Sequence, residues 1–486
     1  MRVALRSTFA VLALAACRSE RVPSGAPVDP RMAHVTESLR PAVAVKGEPA
    51  ALLKLVDEMA ARHTPGVSIA VADSGRIVWA RGFGLKQAET SDSVTATTLF
   101  QAGSISKPVA ATAMLRLVER GTLSLDANVN QYLKSWKVPD NKFTATEKVT
   151  LRRIVSHNAG LTVHGFPGYR TTDQVPTLPQ VLDGAKPANT DPVRVDTVPG
   201  AIWRYAGGGT TVMQLLLNDV TGKPFPQLLQ DEVLGPARMT HSTYAQPLVA
   251  ARQSEASAAH HADGTMVPGR WHIYPEMAAA GLWTTPSDLL MWAFAIADAR
   301  AGRSTTLLSQ GMATQMLTMQ RAPTGLGPFL AGSGTGFNFG HTGADEGFLA
   351  LLVYFPETGQ GAAIMVNSDG GGALLGEIRR AIAAEYHWPE AVQREIEPLK
   401  VQGTVLDELV GTYTFGKPAI TIAITRGGDT LWFADSRSTR KGRIVLVAPD
   451  KVISLSTGSE LTFERDKSGR VTSLALGDMK AVRVKE

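Results

Sequence analysis

The hydrophobic periodicity of this chain changes near residue 405, and that change limits the architectures open to it. From Val405 onward the text consists of short strand-like runs: 410–415, 420–425, 431–434, 443–447, 452–456, 461–465 and 471–476. Turn sequences such as Arg426-Gly-Gly-Asp429 and Asp466-Lys-Ser-Gly469 separate them. Short strands at even spacing predict a small antiparallel barrel or sandwich. Before that point helical and strand-like patterns are interleaved, which predicts an α+β domain. A charged, proline-containing stretch at 389–401 marks the junction. The predicted units are a domain over 49–390, a linker over 391–404 and a small all-β domain over 405–486. With 486 residues, 44% apolar and 19% charged, the chain has the composition of a globular protein of two or three units.

The first residues read differently. Arg2 and Arg6 precede a short apolar run from Phe9 to Ala16, too short to span a bilayer, and Leu14-Ala15-Ala16-Cys17 follows. This resembles a bacterial lipoprotein signal over 1–17, with Cys17 as the lipid-attachment residue. Cys17 is the sole cysteine, so no disulfide can form within the chain. The expectation is an exported protein, anchored by lipid to a bacterial membrane and facing the periplasm or the cell exterior. Residues 18–48, rich in Arg, Pro, Ser and Ala, are predicted to be a tether. The net charge of +5 includes no dense Lys/Arg block, so nucleic acid is not an expected partner.

Within 49–390 the pattern predicts a helix over 49–62, a hairpin of 66–73 with 76–84, and a helix behind Ser104. Further helices are predicted over 149–155, 211–220, 225–233 and 374–386. Thr285-Pro-Ser-Asp288 caps another helix, and 347–355 pairs with 360–367. Residues 162–204 are long, irregular and proline-rich, and a loop of this size inside a compact domain is usually functional.

Chemistry starts at Leu99-Phe-Gln-Ala-Gly-Ser-Ile-Ser-Lys-Pro108. Ser104 and Lys107 are three apart, which puts an amine and a hydroxyl one helical turn apart on one face. A serine hydroxyl becomes a nucleophile when a neighbouring base takes its proton. The bland alternative is an N-cap serine with a surface lysine. The same tetrapeptide pattern recurs at Ser438/Lys441, in a charged turn read as a solvated hairpin. Other constellations are absent: there is no Gly-x-Ser-x-Gly, no His-Glu-x-x-His and no complete Walker-type Gly-x-x-x-x-Gly-Lys-Ser/Thr loop. His260-His261 is read as a solvated loop, and no metal or cofactor is expected.

Taken together, Ser104-Ile-Ser-Lys107, Tyr205-Ala-Gly207 and His341-Thr-Gly343 resemble the three signature elements of the serine β-lactamase and penicillin-binding-protein superfamily, in its class C-like branch. Ser156-His-Asn-Ala-Gly-Leu161 and Gly281-Leu-Trp-Thr-Thr-Pro-Ser-Asp288 add to the likeness. The resemblance implies an antiparallel sheet flanked by helices with a helical subdomain. It also implies a lipocalin-like C-terminal domain.

Acyl transfer through a serine ester follows from the same resemblance, on a small-molecule or peptide substrate. Ser104 is then the nucleophile, Lys107 accepts or steers its proton, and Tyr205 is the partner acid/base, a phenol whose ionisation a nearby ammonium favours. The Ser104 and Ala344 amides are the implied oxyanion hole. His341, Thr342 and Gly343 line the substrate edge.

Two positions depart from the family pattern. Gly207 stands where asparagine is usual, and His341, expected to be only partly charged near neutral pH, stands where β-lactamases carry lysine. Both suit peptides, amides or esters with less dependence on a substrate carboxylate. The alternative class is a penicillin-recognising sensor or binding protein that deacylates slowly or not at all.

Overall fold

The structure is a computed structural model describing residues 29–484, apart from 50, 391–392, 417–419, 437–440 and 478. Cys17, the signal segment and the start of the predicted tether lie outside the described residues, as does Ser438.

The second half of the predicted tether is folded. Asp29 caps helix α1 (Pro30–Glu37), its carboxylate accepting from the Arg31 amide at 2.9 Å. Strand β1 (Val43–Val45) follows. Val35 and Leu39 are fully buried, which a free tether would not allow. The helix predicted over 49–62 starts late, as α2 (Leu55–Ala61), because Leu53 bridges to Leu39 instead. Leu55 and Met59, four apart, point inward, while Leu52 and Val56 are exposed.

The remaining elements follow in order: β2 (Gly66–Asp73), β3 (Arg76–Gly84), β4 (Phe100–Gln101), α3 (Ser106–Glu119), α4 (Leu151–Val155), β5 (Tyr169–Arg170), α5 (Leu178–Asp183), α6 (Gly207–Thr221) and α7 (Phe225–Leu229). Next come β6 (His272–Ile273), α8 (Met277–Ala280), β7 (Trp283–Thr284), α9 (Pro286–Arg300), α10 (Gln310–Met316), β8 (Phe329–Ala331), β9 (Asn338–Asp345), β10 (Phe348–Phe355), β11 (Gln360–Val366) and α11 (Gly372–Glu385).

A six-stranded antiparallel sheet of order β3-β2-β11-β10-β9-β8 divides this domain. Its central strands are buried on both faces, so they read as unbroken apolar runs. Ala350, Leu352 and Tyr354 of β10 join the core shared with α3, α6 and α9. Leu351, Val353 and Phe355 join the core shared with α1, α2 and α11. The predicted hairpins 66–84 and 347–367 are present, and Thr285 caps α9 through the Asp288 amide at 3.2 Å. Helix α6 begins four residues before its predicted start, taking the three glycines into its first turn. A Cβ on Gly208 would lie 2.5 Å from the Thr162 carbonyl oxygen, so the glycine permits that close approach. His260 is not solvated. It is fully buried, its Nδ1 at 2.9 Å from the Asn367 carbonyl and its Nε2 accepting from the Ala88 amide at 3.1 Å.

The predicted linker 391–404 also contains structure. Strand β12 (Arg394–Ile396) pairs parallel with β1, and α12 (Gly403–Leu409) leads into the C-terminal unit. That unit is a closed barrel of β13 (Gly411–Phe415), β14 (Ile420–Gly427), β15 (Thr430–Asp435), β16 (Lys441–Ala448), β17 (Lys451–Ser454), β18 (Glu460–Arg465), β19 (Val471–Leu476) and β20 (Met479–Arg483). The strands pair in sequence order. The eighth, β20, escaped the sequence pattern because Ala481 is its sole buried residue. Lys441 is exposed at the start of β16, as expected of the β15–β16 hairpin. Leu409, Tyr413, Ile424, Leu446 and Phe463 fill the barrel interior. Val43, Val45 and Ile396 pack on Val445 and Ile453 of the barrel, and Arg443 binds Glu48 at 2.7 Å. The barrel therefore docks on the α1 side of the molecule. Among the described residues no helix is long and apolar enough to cross a membrane.

Candidate active site

Ser104 lies in a single 3-10 turn, Gly103–Ile105, between β4 and α3. Three contacts fix this turn. β4 pairs with β7, the Ser106 hydroxyl accepts from the Leu282 amide at 3.0 Å, and the Tyr244 hydroxyl donates to the Ser106 carbonyl at 2.7 Å. Lys107, one turn on, is 5% exposed. Its Nζ donates to Ser104 Oγ at 2.9 Å and to the Ala279 carbonyl at 2.8 Å. The amine is thus held by α8 in contact with the hydroxyl.

Tyr205 immediately precedes Ala206, the N-cap residue of α6. Its ring lies between those of His157 and His164, at centroid distances of 4.3 and 4.9 Å. Lys107 Nζ is 4.9 Å from the Tyr205 ring centroid. The Tyr205 hydroxyl is buried with no hydrogen-bond partner among the described residues.

β9 supplies the opposite wall. β8 pairs with Asn338, Phe339 and Gly340 only, so from His341 onward that edge of β9 faces the Ser104 turn. The two backbones touch. A Cβ on Gly103 would lie 2.5 Å from the Ala344 amide nitrogen, and one on Gly343 would lie 1.9 Å from the Ala102 carbonyl oxygen and 3.3 Å from the Ser104 amide. Gly103 also has φ +50°, the left-handed region that suits glycine. Thr342 and Ala344 are exposed, and the resulting cavity of about 500 Å³ is lined by Ser104, His164, Trp203, Tyr205, Phe329 and His341 among others.

His341 differs from its expectation. It is 3% exposed and stacked on Phe329 at 4.3 Å. Burial first, and then the Lys107 charge, push its pKa down to about 3. The ring is therefore neutral throughout the physiological range. Its Nδ1 sits 2.5 Å from the Thr342 carbonyl, which assigns the proton to Nδ1 and leaves Nε2 an acceptor with no partner among the described residues.

Gly207 is not part of the cavity lining. A side chain there would meet the His164 carbonyl oxygen at 3.0 Å and the Phe166 ring at 3.1 Å. The segment 164–166 fills the space that an asparagine at this position would need. Ser104, Tyr205, His341, Thr342, Gly343 and Ala344 are thus brought together, Lys107 supports them from beneath, and Gly207 is set aside.

Sequence reasoning missed five features. His157 and Trp203 lay inside stretches already singled out. His164 lay in the 162–204 loop already singled out but in no motif of its own, Phe329 carried no signal, and the Ala279 carbonyl has no side chain to notice. Burial, with Lys107 second, holds the His157 imidazole well below its ordinary pKa.

The Beta-lactamase family profile matches residues 52–387. This chain belongs to the beta-lactamase family. Among curated relatives, penicillin-binding protein 4 of Amycolatopsis lactamdurans is 27% identical over 367 residues, covering 70% of this chain and 93% of its own. The octameric penicillin-binding protein homologue of Pyrococcus abyssi superimposes with a TM-score of 0.60 at 22% identity, covering 88% of this chain and 98% of its own. D-amino acid amidase from Ochrobactrum anthropi SV3, complexed with D-phenylalanine, gives 0.56 at 21% identity over 68% of this chain and 96% of its own. The fold is beta-lactamase-like, with a closed eight-stranded barrel appended.

Proposed function

We propose that this beta-lactamase family member is a serine hydrolase, of the class C-like branch, that cleaves amide, β-lactam or ester bonds through an acyl-enzyme on Ser104. The observation that carries the reading is the 2.9 Å contact from Lys107 Nζ to Ser104 Oγ, with the Tyr205 ring 4.9 Å from the same nitrogen.

In the forward step Ser104 Oγ bonds to the substrate carbonyl carbon. Its proton passes to Lys107 or Tyr205, and the developing oxyanion accepts from the Ser104 and Ala344 amides. When the tetrahedral intermediate collapses, the bond to the leaving nitrogen or oxygen breaks and that atom takes the proton from the same pair. Water then attacks the ester, losing a proton to Tyr205, and Ser104 Oγ is reprotonated. The free edge of β9 offers backbone groups to an extended acyl chain.

The neutral His341 gives the cleft no cation at the place where a substrate carboxylate would be bound. Substrates without an obligatory carboxylate therefore fit best, and the amidase fold neighbour supports the amide class. A panel of one penicillin, one cephalosporin, a short D-amino-acid peptide and a short-chain aryl ester tests this. The peptide or the ester is expected to give the highest kcat/KM. A clear preference for the β-lactams contradicts the reading of His341, and hydrolysis of none of the four contradicts the hydrolase.

The lipoprotein-like segment supports an exported, membrane-anchored location. Metabolic labelling with a fatty acid is expected to mark the wild-type protein and to spare Cys17→Ala, which should move to the soluble fraction. Equal labelling of both rejects the anchor. The order of the barrel strands supports a lipocalin-like reading. Its packed interior and its docking on the α1 side argue for a structural role over ligand capture.

A further inference from the structure

The cavity at Ser104 does not end at the groups used above. It turns round the free edge of β9 and continues on the opposite face of the sheet. Along β9, His341 and Gly343 are buried while Thr342 and Ala344 are exposed, the alternation expected of a strand. Residues directly opposite one another in an antiparallel pair share a face. β10 places Leu351 opposite Thr342 and Leu349 opposite Ala344, and Leu351 belongs to the core shared with α11. Thr342, Ala344 and Leu349 therefore lie on the α11 face. Leu349, Gly372 and Leu375 line the same 500 Å³ cavity as Ser104.

This second arm is apolar and open. Leu349 is half-buried, and Leu375, in the first turn of α11, packs beside it against the same core. Gly372 is the first residue of α11 and is exposed. A Cβ there would find Leu349 Cδ1, at 3.7 Å, as its nearest contact outside its own helix. The glycine therefore leaves room between α11 and Leu349.

The other arm carries the aromatic groups. Trp203 Nε1 is engaged by Thr324 Oγ1 at 2.9 Å, Phe329 is stacked on the neutral His341, and His164 stands beside Tyr205. Among the described residues lining the cavity none is lysine, arginine, aspartate or glutamate. A charged group carried into the α11 arm would lose its hydration without gaining a partner, whereas an apolar group gains by leaving water.

We propose that the α11 arm is a substrate subsite for an uncharged apolar chain attached on one side of the scissile bond, with Leu349 and Leu375 as its specificity-determining residues. The substrates are then esters or amides bearing such a chain. The inference deepens the Ser104 reading given under Proposed function and rests on it. The arm is continuous with Ser104, so a chain lying in it belongs to the molecule whose carbonyl the serine attacks.

The test uses the full chain and two ester series. 4-Nitrophenyl esters from acetate to octanoate lengthen the acyl side. Acetate esters of straight-chain alcohols from methanol to hexanol lengthen the leaving side. In the series whose chain enters the arm, kcat/KM is expected to rise about fourfold per methylene until the arm is full. A terminal carboxylate on the same chain is expected to cancel the rise. Gly372→Leu fills the arm and should stop the rise at a shorter chain. Its backbone is helical, with φ −58°, a conformation open to any residue, so this variant is expected to fold. Leu375→Gln should flatten the slope, and Leu375→Met, close to leucine in volume, should restore it.

The side of the substrate that enters the arm is identified by the series whose rise Gly372→Leu shortens. Rates level with chain length in both series overturn the subsite, as does a rise that Gly372→Leu leaves unchanged. Equal rates for charged and uncharged chains contradict its apolar character. These failures leave the hydrolase standing. A wild type that turns over no ester of either series, acetates included, contradicts the Ser104 reading and the subsite with it.

Discussion

Ser104→Ala is expected to lower turnover of every accepted substrate on the order of 10⁶-fold, as removal of the nucleophile of a coupled catalytic unit does. The loss should fall on kcat. Among the described contacts, Ser104 Oγ is bonded to Lys107 Nζ, which keeps the Ala279 carbonyl at 2.8 Å after the substitution. One hydrogen bond at a partly exposed position is worth about 1 kcal/mol, so the melting temperature should barely move. The comparison is kcat at saturating substrate alongside thermal unfolding. Residual turnover above a tenth of wild type removes Ser104 as the nucleophile. A collapse in stability of the same variant would instead give the serine a structural role.

Tyr205→Phe is expected to lower kcat by about 10²–10⁴-fold, the usual range for loss of a general acid/base. Here stability separates the two meanings of a buried tyrosine. The hydroxyl is buried without a partner among the described residues, so removing it costs no hydrogen bond within the protein. The ring keeps its tilted contacts with His157 and His164, at 4.3 and 4.9 Å. Unfolding temperature should therefore stay level or rise slightly while kcat falls. A hydroxyl that only supported the fold would show the opposite pattern, a lowered melting temperature with kcat little changed.

The residues proposed as nucleophile and partners were legible because local spacing carries their information. Ser104 and Lys107 are one helical turn apart, and Tyr205 and the 341–343 stretch sit in short recognisable contexts. The sheet strands were legible because burial on both faces leaves unbroken apolar runs, as in β10. What stayed hidden depends on contacts distant in sequence. β1 and β12 are three residues each and pair across the whole beta-lactamase-like domain, so neither leaves a period in the sequence, and both were taken for connecting chain. The charge of His341 follows from the Phe329 ring stacked on it and the nearby Lys107, neither of which its own tripeptide reveals. Gly207 reads as a lost asparagine until the 164–166 segment is seen to fill its space. Glu276 and Asp345, both buried, look like ordinary polar residues in the sequence. Their inward positions emerge only once the start of α8 and the register of β9 are known.

These residues give the site a consistent logic. A neutral histidine and a buried phenol lie close to the lysine that donates to Ser104 Oγ. The central claim is that Ser104 carries the acyl group and then releases it. Time-resolved intact-mass measurement of the full chain with a reactive acyl probe tests it most directly. The account predicts a transient mass increase that maps to Ser104, decays with turnover and is absent in Ser104→Ala. An adduct that forms equally on Ser104→Ala, or one on Ser104 that never decays, contradicts it.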